Sequence, residues 1–577
     1  MKLSKLADHF EILDKTTSRN ALIEELAKLF KESNDPEEIR KIVYLSEGIL
    51  LPAYEGVEIG ISEQLMARAI AEATGESIEH IRKLYQKLGD YGLVAEHLIK
   101  WDGKGLTIGQ AYEALLNIAQ ITGKGSIEAK VSELASLIRQ LSPKEARYLI
   151  RIAIGKLRLG IGDPTIIDGL SLAYGENEQL PALLERAYNI SGDMGRVAYI
   201  LYKEGPEELE KLKVQVGSPI RMELAERAPD VETILKRLGK CSSEPKYDGF
   251  RAQIHKNGDI VQIFTRNLEN ATTMFPDIIE ATLKHINARQ AIFEGEAVSF
   301  DPETGEFHPF QITVRRKRKH LIEEKEEELP LKLMVFDCLF VDGKEMIDEP
   351  YIERRKALQK IVSSNQTIQV TDALISDKPE EITAFFNLMV SSGLEGIIAK
   401  SLESPYRAGR RTFDWLKLKR SYQGKLADTV DCVIVGYFAG RGKRAKWGIG
   451  SLLCAVYDEK KDKFQTISRV ASGLTDEDWV KMKQILDEII VNEKPARVES
   501  LIEPDVWVEP RYVTEVLADE ITRSPIHTAG RDDSDTGFAL RFPRIIKAIR
   551  TDRRPEDATT VSEVKNLYET QRQVAMK

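Results

Sequence analysis

The texture of the chain changes once, near residue 215, and that change limits what it can fold into. Before it, apolar residues recur at helical spacing; after it, short β-rich runs alternate with Gly, Asn and Pro punctuation. A chain of 577 residues is too long for one ordinary core, and at about 150 residues per domain it predicts roughly three or four. The expectation is a multidomain protein, with an all-α domain over 1–215, an α+β domain over 216–425 and a β-rich domain over 426–577.

Local signals support each part. Asp35-Pro36 reads as an N-cap followed by proline in the first turn, and Ser142-Pro143 repeats the device, with Glu145 completing a capping box ahead of Leu149, Ile152, Ala153 and Leu157. Two connections are unusual for a plain bundle. TGKGS at 122–126 holds Lys124 and Gly125 before a helix, and GKLRLGIGD at 155–163 holds Lys156 and Arg158 among three glycines. Either loop could present N–H groups to phosphates, or be simple turn chemistry. GSPIRMELAERAP at 217–229 looks like a linker, and KYDGFRAQIH, Asn257-Gly258 and DIVQIFTRN read as a hairpin with a type I′ turn. Further strands are expected at 291–300, 331–341, 396–400 and 414–419. From 428 onward, five or so strands with one helix suit a small β-barrel of the OB type, though periodicity does not separate barrel from sandwich. SEVKNLYETQRQ should be a last helix.

Composition excludes some classes. No apolar run approaches a membrane span and MKLSKLADHFEIL lacks a secretory core, so a cytoplasmic protein is expected. The four cysteines, Cys241, Cys338, Cys432 and Cys454, form no CxxC pair, which argues against a zinc module or a disulfide framework. The net charge of −9 argues against a nucleic-acid partner only on average, because RRKRKH at 315–320, RAGRR at 407–411, KLKR at 417–420 and RGKRAK at 441–446 are locally basic.

The stretch with most chemical content is EPKYDGFR at 244–251. A lysine nucleophile needs its pKa lowered by burial or neighbouring cations, and Arg251, Arg266, Lys400, Lys417 and Lys419 lie on separate predicted strands that could converge on Lys246. Gly249 would let a backbone approach a ligand. Such a lysine suits attack on phosphorus, where the same cations stabilise developing charge. Glu296 and Glu395 lie in apolar strand contexts, where an unpaired charge is costly, and a divalent metal is a natural partner. Phe336 could stack on a flat ring. Each residue alone has a bland alternative as surface lysine, salt-bridge partner or core ring.

The ordered set is more specific. KYDGFR, TRN at 265–267, FEGEAV at 293–298, VFDCLF at 335–340, EGIIAK at 395–400, WLKLK at 415–419 and RFPR at 541–544 resemble, in order and spacing, the motif series of ATP-dependent DNA ligases of the replicative archaeal type. PAYEGVEIGISEQL, YGLVAEH and IRIAIGKLRLGIGD resemble that family's DNA-binding domain. The resemblance implies an all-α DNA-binding domain, an adenylation (nucleotidyltransferase) domain and an OB-fold domain. It implies that Lys246 takes AMP from ATP, Glu244 hydrogen-bonds the adenine and Phe336 stacks on it. Arg251, Arg266 and Glu296 then lie around ribose and phosphate, Arg411 and Lys417 at further nucleotide positions, and Glu296 and Glu395 at a metal, Mg²⁺ or Mn²⁺. Arg541 and Arg544 match the motif orienting pyrophosphate. Lys124, Gly125, Lys156 and Arg158 become DNA-backbone candidates.

The implied partner is nicked double-stranded DNA, met by a monomer in replication, repair and recombination, with a sliding clamp as a further candidate. Glu294 stands where an aspartate is common, which should matter little. The rivals are an RNA ligase, a capping-type guanylyltransferase or a non-catalytic DNA-binding scaffold. The long helical N-terminal part and RFPR argue against the first two, and the intact motif residues against the third.

Overall fold

The computed structural model describes residues 1–175, 178–300, 307, 330–392, 394–419, 429–531 and 535–573, with all their side chains except those of 443 and 570–573. The charged excursion at 315–328 lies outside them. Two compact units form, one from Met1–Ile78 and Ala95–Lys419, the other from Glu79–Val94 and Arg420–Lys577.

Helices run from Leu3–Lys15 to Pro206–Glu210. The expected caps are made: the Glu37 N–H donates to Asp35 Oδ1 at 3.0 Å, and Ser142 and Glu145 close a capping box. Leu149, Ile152, Ala153 and Leu157 are all buried, as their spacing requires.

Two sheets follow in the first unit. One is ordered β1 (Leu224–Arg227), β11 (Arg411–Lys419), β10 (Gly396–Ser401), β2 (Cys241–Lys246) and β9 (Leu374–Ser376). The other is ordered β4 (Ile260–Thr265), β3 (Phe250–Asn257), β5 (Gln290–Ser299), β6 (Leu331–Val341) and β7 (Lys344–Glu345), with β8 (Ile368–Val370) parallel to β6. Each sheet buries one face against helices. Ile397, Ala399, Leu416 and Leu418 pack on Val231, Ile234, Ile382 and Phe386; Ala252, Ile254, Phe293 and Val335 pack with Phe275, Ile278, Leu358 and Ile361.

Two local expectations are corrected. The 217–229 stretch is no exposed linker, because it contains β1 and buries Ile220, Met222 and Glu223. The β3–β4 hairpin forms, but its loop is Gly258-Asp259 and only Gly258 has positive φ, at 59°. One positive-φ residue at the first loop position is the II′ signature, not I′. Gly249 lets the chain pass close to the Ala297 carbonyl, since a Cβ there would lie 2.5 Å from that oxygen.

Asp337 on β6 and Arg354 on the helix Tyr351–Ile361 are both fully buried and joined in a fork, Nε to Oδ1 at 2.7 Å and Nη2 to Oδ2 at 3.1 Å. Arg354 Nη1 also donates to the Glu349 and Ser404 carbonyls, at 2.8 and 2.9 Å.

In the second unit the fully buried strand β12 (Val430–Phe438) is central. It pairs with β13 (Ser451–Asp458) on one edge; on the other, β17 (Val506–Val508) takes Gly436 and Tyr437 while β18 (Val513–Leu517) takes 430–433. The sheet continues through β14 (Lys463–Val470) and β16 (Val498–Glu499), with β15 (Ile490–Val491) beyond β17 and β21 (Arg544–Lys547) beyond β18. A separate hairpin joins β19 (Glu520–Ser524) to β20 (Gly537–Arg541). Among the described residues no pairing closes the large sheet. Trp479, Met482 and Leu486 of the helix Asp476–Asp487 cover its core, and Val561–Gln573 is the expected last helix.

Replacing Arg354 with Met should leave the Asp337 charge buried and destabilise the first unit by about 3–5 kcal/mol. Urea denaturation followed by tryptophan fluorescence should show this, and adding Asp337→Leu should restore most of the loss.

Candidate active site

The site is built by strand register. In the antiparallel ladder through β11, β10 and β2, Lys419 lies opposite Gly396 and Gly396 opposite Lys246; the next row is Lys417, Ile398, Glu244, and the third Trp415, Lys400, Ser242. Side chains alternate along a strand, so all nine positions share the face away from the helices. One face thus carries Lys246, Glu244, Lys400, Lys417, Lys419 and Trp415.

The second sheet supplies the other wall. Arg251 on β3 pairs with Glu296 on β5, and Gln253 with Glu294. On β6, Asp337 lies opposite Glu294 while Val335 lies opposite Gly295, which leaves Phe336 as the extra residue of a β-bulge. A bulge re-aims a side chain. The Phe336 ring meets Trp415 of the first sheet edge-on, with centroids 6.2 Å apart.

Charges are matched in layers. Lys246 Nζ is 2.5 Å from Glu395 Oε2, which also binds Lys419 Nζ at 2.8 Å. Burial by itself would lower the Lys246 pKa, but the Glu395 and Glu296 carboxylates outweigh it and hold the ammonium above its ordinary value. The depressed lysine is Lys417 instead, lowered by burial and then by Arg411, Lys419, Lys246 and Arg266. That effect shows the expected cations converging, and it corrects which lysine bears it. Arg266 and Arg411 are the exposed members of the group. Burial pushes Glu296 up to about 7, against the pull of Lys246 and Arg251.

Behind this layer lies a second. Arg251 donates to Glu294 Oε2 at 2.7 Å and to the Glu223 carbonyl at 2.6 Å, while Gln253 and Tyr406 also donate to Glu294, both at 3.0 Å. Glu294 is therefore the anchor of Arg251, a larger part than its sequence position suggested. Glu244 is buried, with Lys400 Nζ 2.8 Å from Oε2, Arg355 Nη1 3.3 Å from Oε1, and the Tyr351 hydroxyl donating to Oε1. Tyr351, Arg355 and Glu223 escaped the sequence reading. Tyr351 and Arg355 are one helical turn apart, but no sequence pattern ties them to an acid more than a hundred residues earlier.

The other expected residues belong to other elements. In the loop before the helix Ser126–Ile138, Gly123 and Gly125 have φ of 87° and 84° and Lys124 is exposed. Lys156 is paired with Glu63, and Arg158 adopts a left-handed φ of 58°. In the second unit Arg541 binds Glu520 at 2.7 Å and Arg544 approaches Asp519 at 3.5 Å, with Phe542 between them exposed at φ 52°.

A lysine at a strand end, held by Glu395 beside the cations that gather at Lys417, with the Phe336 ring on a second sheet, is an arrangement suited to the nucleotidyltransferase class. Family models narrow the class. "ATP dependent DNA ligase domain" matches residues 222–419, "DNA ligase N terminus" 2–171 and "ATP dependent DNA ligase C terminal region" 445–553. The chain is 52% identical over 575 residues to "Probable DNA ligase" of Dictyoglomus turgidum, covering 99% of this chain and 98% of the relative. It is 42% identical over 592 residues to "DNA ligase 2" of Thermofilum pendens, covering 99% and 98%. The fold is shared with a solved structure titled "Pmar-Lig_PreS3", at 16% identity and a TM-score of 0.55 over 94% of this chain and 98% of that one. The chain belongs to the ATP-dependent DNA ligases.

The Glu296 carboxyl provides a pH test. Its folded-state value of about 7 lies above the ordinary 4.5, so its contribution to stability is intact below about pH 4.5 and is lost as pH rises to about 7. Glu296→Gln should gain stability relative to the wild type across that window. Urea midpoints of both proteins at pH 5 and pH 8 check the sign.

Proposed function

We infer that this enzyme seals nicks in duplex DNA through a lysyl-AMP intermediate on Lys246. The observation that carries the reading is the single sheet face on which Lys246 sits with Lys417, Lys419 and Glu244. Lys246 sheds its proton, for which Glu395 at 2.5 Å is the adjacent acceptor. Its Nζ then attacks the α-phosphorus of ATP, forming an N–P bond as the α–β P–O bond breaks and pyrophosphate leaves. The AMP next passes to a DNA 5′-phosphate, and the neighbouring 3′-hydroxyl displaces it. Each step is a transfer at phosphorus, where positioning and charge neutralisation supply most of the acceleration.

The remaining roles are those the family resemblance implies, and the geometry is compatible with them. Lys417, its pKa lowered, faces the α-phosphate with Arg411 and Arg266 near it. Arg251, held by Glu294, lies with Glu296 at the ribose. Phe336 stacks on the adenine, and Glu244 accepts from its edge.

Glu296 and Glu395 are the carboxylates suited to a divalent metal. The raised pKa of Glu296 marks an acid whose charge is incompletely compensated, and two carboxylates plus substrate phosphates make a normal Mg²⁺ site. When bound, Mg²⁺ or Mn²⁺ would neutralise charge on the phosphates.

Arg541 and Arg544 would orient pyrophosphate, and we assign the second unit's sheet to an OB-type barrel. Lys124 and Gly125 at a helix N-terminus, with Lys156 and Arg158, would contact DNA backbone. The working arrangement is a helical DNA-binding domain to 215, an adenylation domain to 425 and the barrel domain beyond, acting as a cytoplasmic monomer, with a sliding clamp as candidate partner. No helix among the described residues is long and apolar enough to cross a membrane.

Incubation with α-labelled ATP and Mg²⁺ should attach acid-labile AMP to the wild type and leave Lys246→Ala unlabelled; label on the variant would refute the assignment. Sealing of a nicked duplex should proceed with ATP, and NAD, ADP and GTP compared side by side with it read the cofactor choice. Sealing should also weaken steeply with salt, because backbone contacts release counterions.

A further inference from the structure

Lys400 is the most enclosed cation of the site. It is 1% exposed, and its Nζ lies 4.2 Å from the ring centroid of Trp415, 4.6 Å from that of Phe336 and 4.9 Å from that of Tyr351. A lysine so placed needs an anion, and Glu244 Oε2 is 2.8 Å away. The same ammonium donates to the Phe336 carbonyl at 3.2 Å. One group therefore ties the acid on β2 to the bulge on β6 that aims the Phe336 ring.

The acceptor count at Glu244 makes this consequential. A carboxylate offers about four acceptor positions. Tyr351 and Arg355 take the two on Oε1, and Lys400 takes one on Oε2. One acceptor position on Oε2 remains, and the direction it points is set by Lys400.

We propose that Lys400 is a positioning residue that sets nucleotide choice: by holding Glu244 Oε2 and the Phe336 main chain together, it presents one fixed acceptor beside the stacking ring. An adenine edge carries an exocyclic amine that donates to such an acceptor. A guanine edge places a carbonyl oxygen there, which the carboxylate repels. Lys400 acts through Glu244 and Phe336, the two groups its ammonium binds. The inference rests on the proposed adenylation of Lys246 and deepens it.

The test is single-turnover self-adenylation and self-guanylation, with α-labelled ATP and GTP, of the full chain and its Lys400→Met, Tyr351→Phe and Glu244→Gln/Lys400→Met variants. Lys400→Met should raise the apparent Kd for ATP about 10–100-fold, the scale of one hydrogen bond to a charged group, with a smaller change in limiting rate, and its ATP-over-GTP preference should fall by a similar factor. Tyr351→Phe should shift both quantities less in the same direction. The double variant should show no larger loss of preference than Lys400→Met, since both changes act through the single Glu244 Oε2 acceptor that Lys400 orients. If Lys400→Met does not fold, the double variant, which leaves no uncompensated buried carboxylate, and Tyr351→Phe carry the same readout. An unchanged ATP-over-GTP ratio, even with a lowered melting midpoint, would reduce Lys400 to a structural role and overturn the proposal, as would additive losses in the double variant. A wild type that takes no label from ATP would instead overturn the adenylation reading itself.

Discussion

The chemistry of this protein depends on the register of three strands. With β10 between β2 and β11, antiparallel pairing brings Lys246, Gly396 and Lys419 into one row, with Glu244 and Lys417 in the next. A slip of one residue on any strand would send its charged set into the helix-packed face and its apolar set into the site. Gly396 helps hold this register. Its φ is 141°, and a Cβ there would lie 2.1 Å from the Leu418 carbonyl, so no larger residue fits against β11 at that level.

Given that register, electrostatics organises the space between the sheets. Carboxylates surround Lys246 and cations surround Lys417, and the buried acids are answered by defined donor sets: Glu244 by Lys400, Arg355 and Tyr351; Glu294 by Arg251, Gln253 and Tyr406; Glu395 by Lys246 and Lys419. The remaining positive charge falls on Lys417 and the exposed Arg266 and Arg411. A surplus held in a half-buried space is suited to a polyphosphate, whose negative charge would relieve the mutual repulsion. Glu296 is the acid beside Lys246 whose charge burial disfavours most, with its pKa raised to about 7. Lys246, the surrounding cations and the two carboxylates Glu296 and Glu395 are thus parts of one balance of charge.

The sequence reading and the structure agree most where the signal is local. Caps at Asp35 and Ser142, the strand at 331–341 and the last helix follow from side-chain chemistry within a few residues. They part where distant segments meet. The 217–229 stretch looked like a linker because its glycine, prolines and charges resemble one, yet Glu223 within it receives the Arg407 N–H and gives its carbonyl to Arg251. The lowered pKa expected at Lys246 falls on Lys417 instead, because Glu395, 149 residues further on, lies against Lys246 and reverses the sign there. The bulge that frees Phe336 is invisible in the pattern VFDCLF, since it is a property of pairing with β5.

What the sequence determined by itself is the kind of protein and the residue types of its site: ordered short motifs identify the family, and periodicity identifies helices before 215 and strands after it. Tertiary structure alone decided which charges neutralise one another, and so which lysine is shifted, which acid is locked and which is free to bind. The reason is physical. Helix and strand preferences act over a few residues, whereas the energy of a buried charge depends on every group within several ångströms, wherever in the chain it originates.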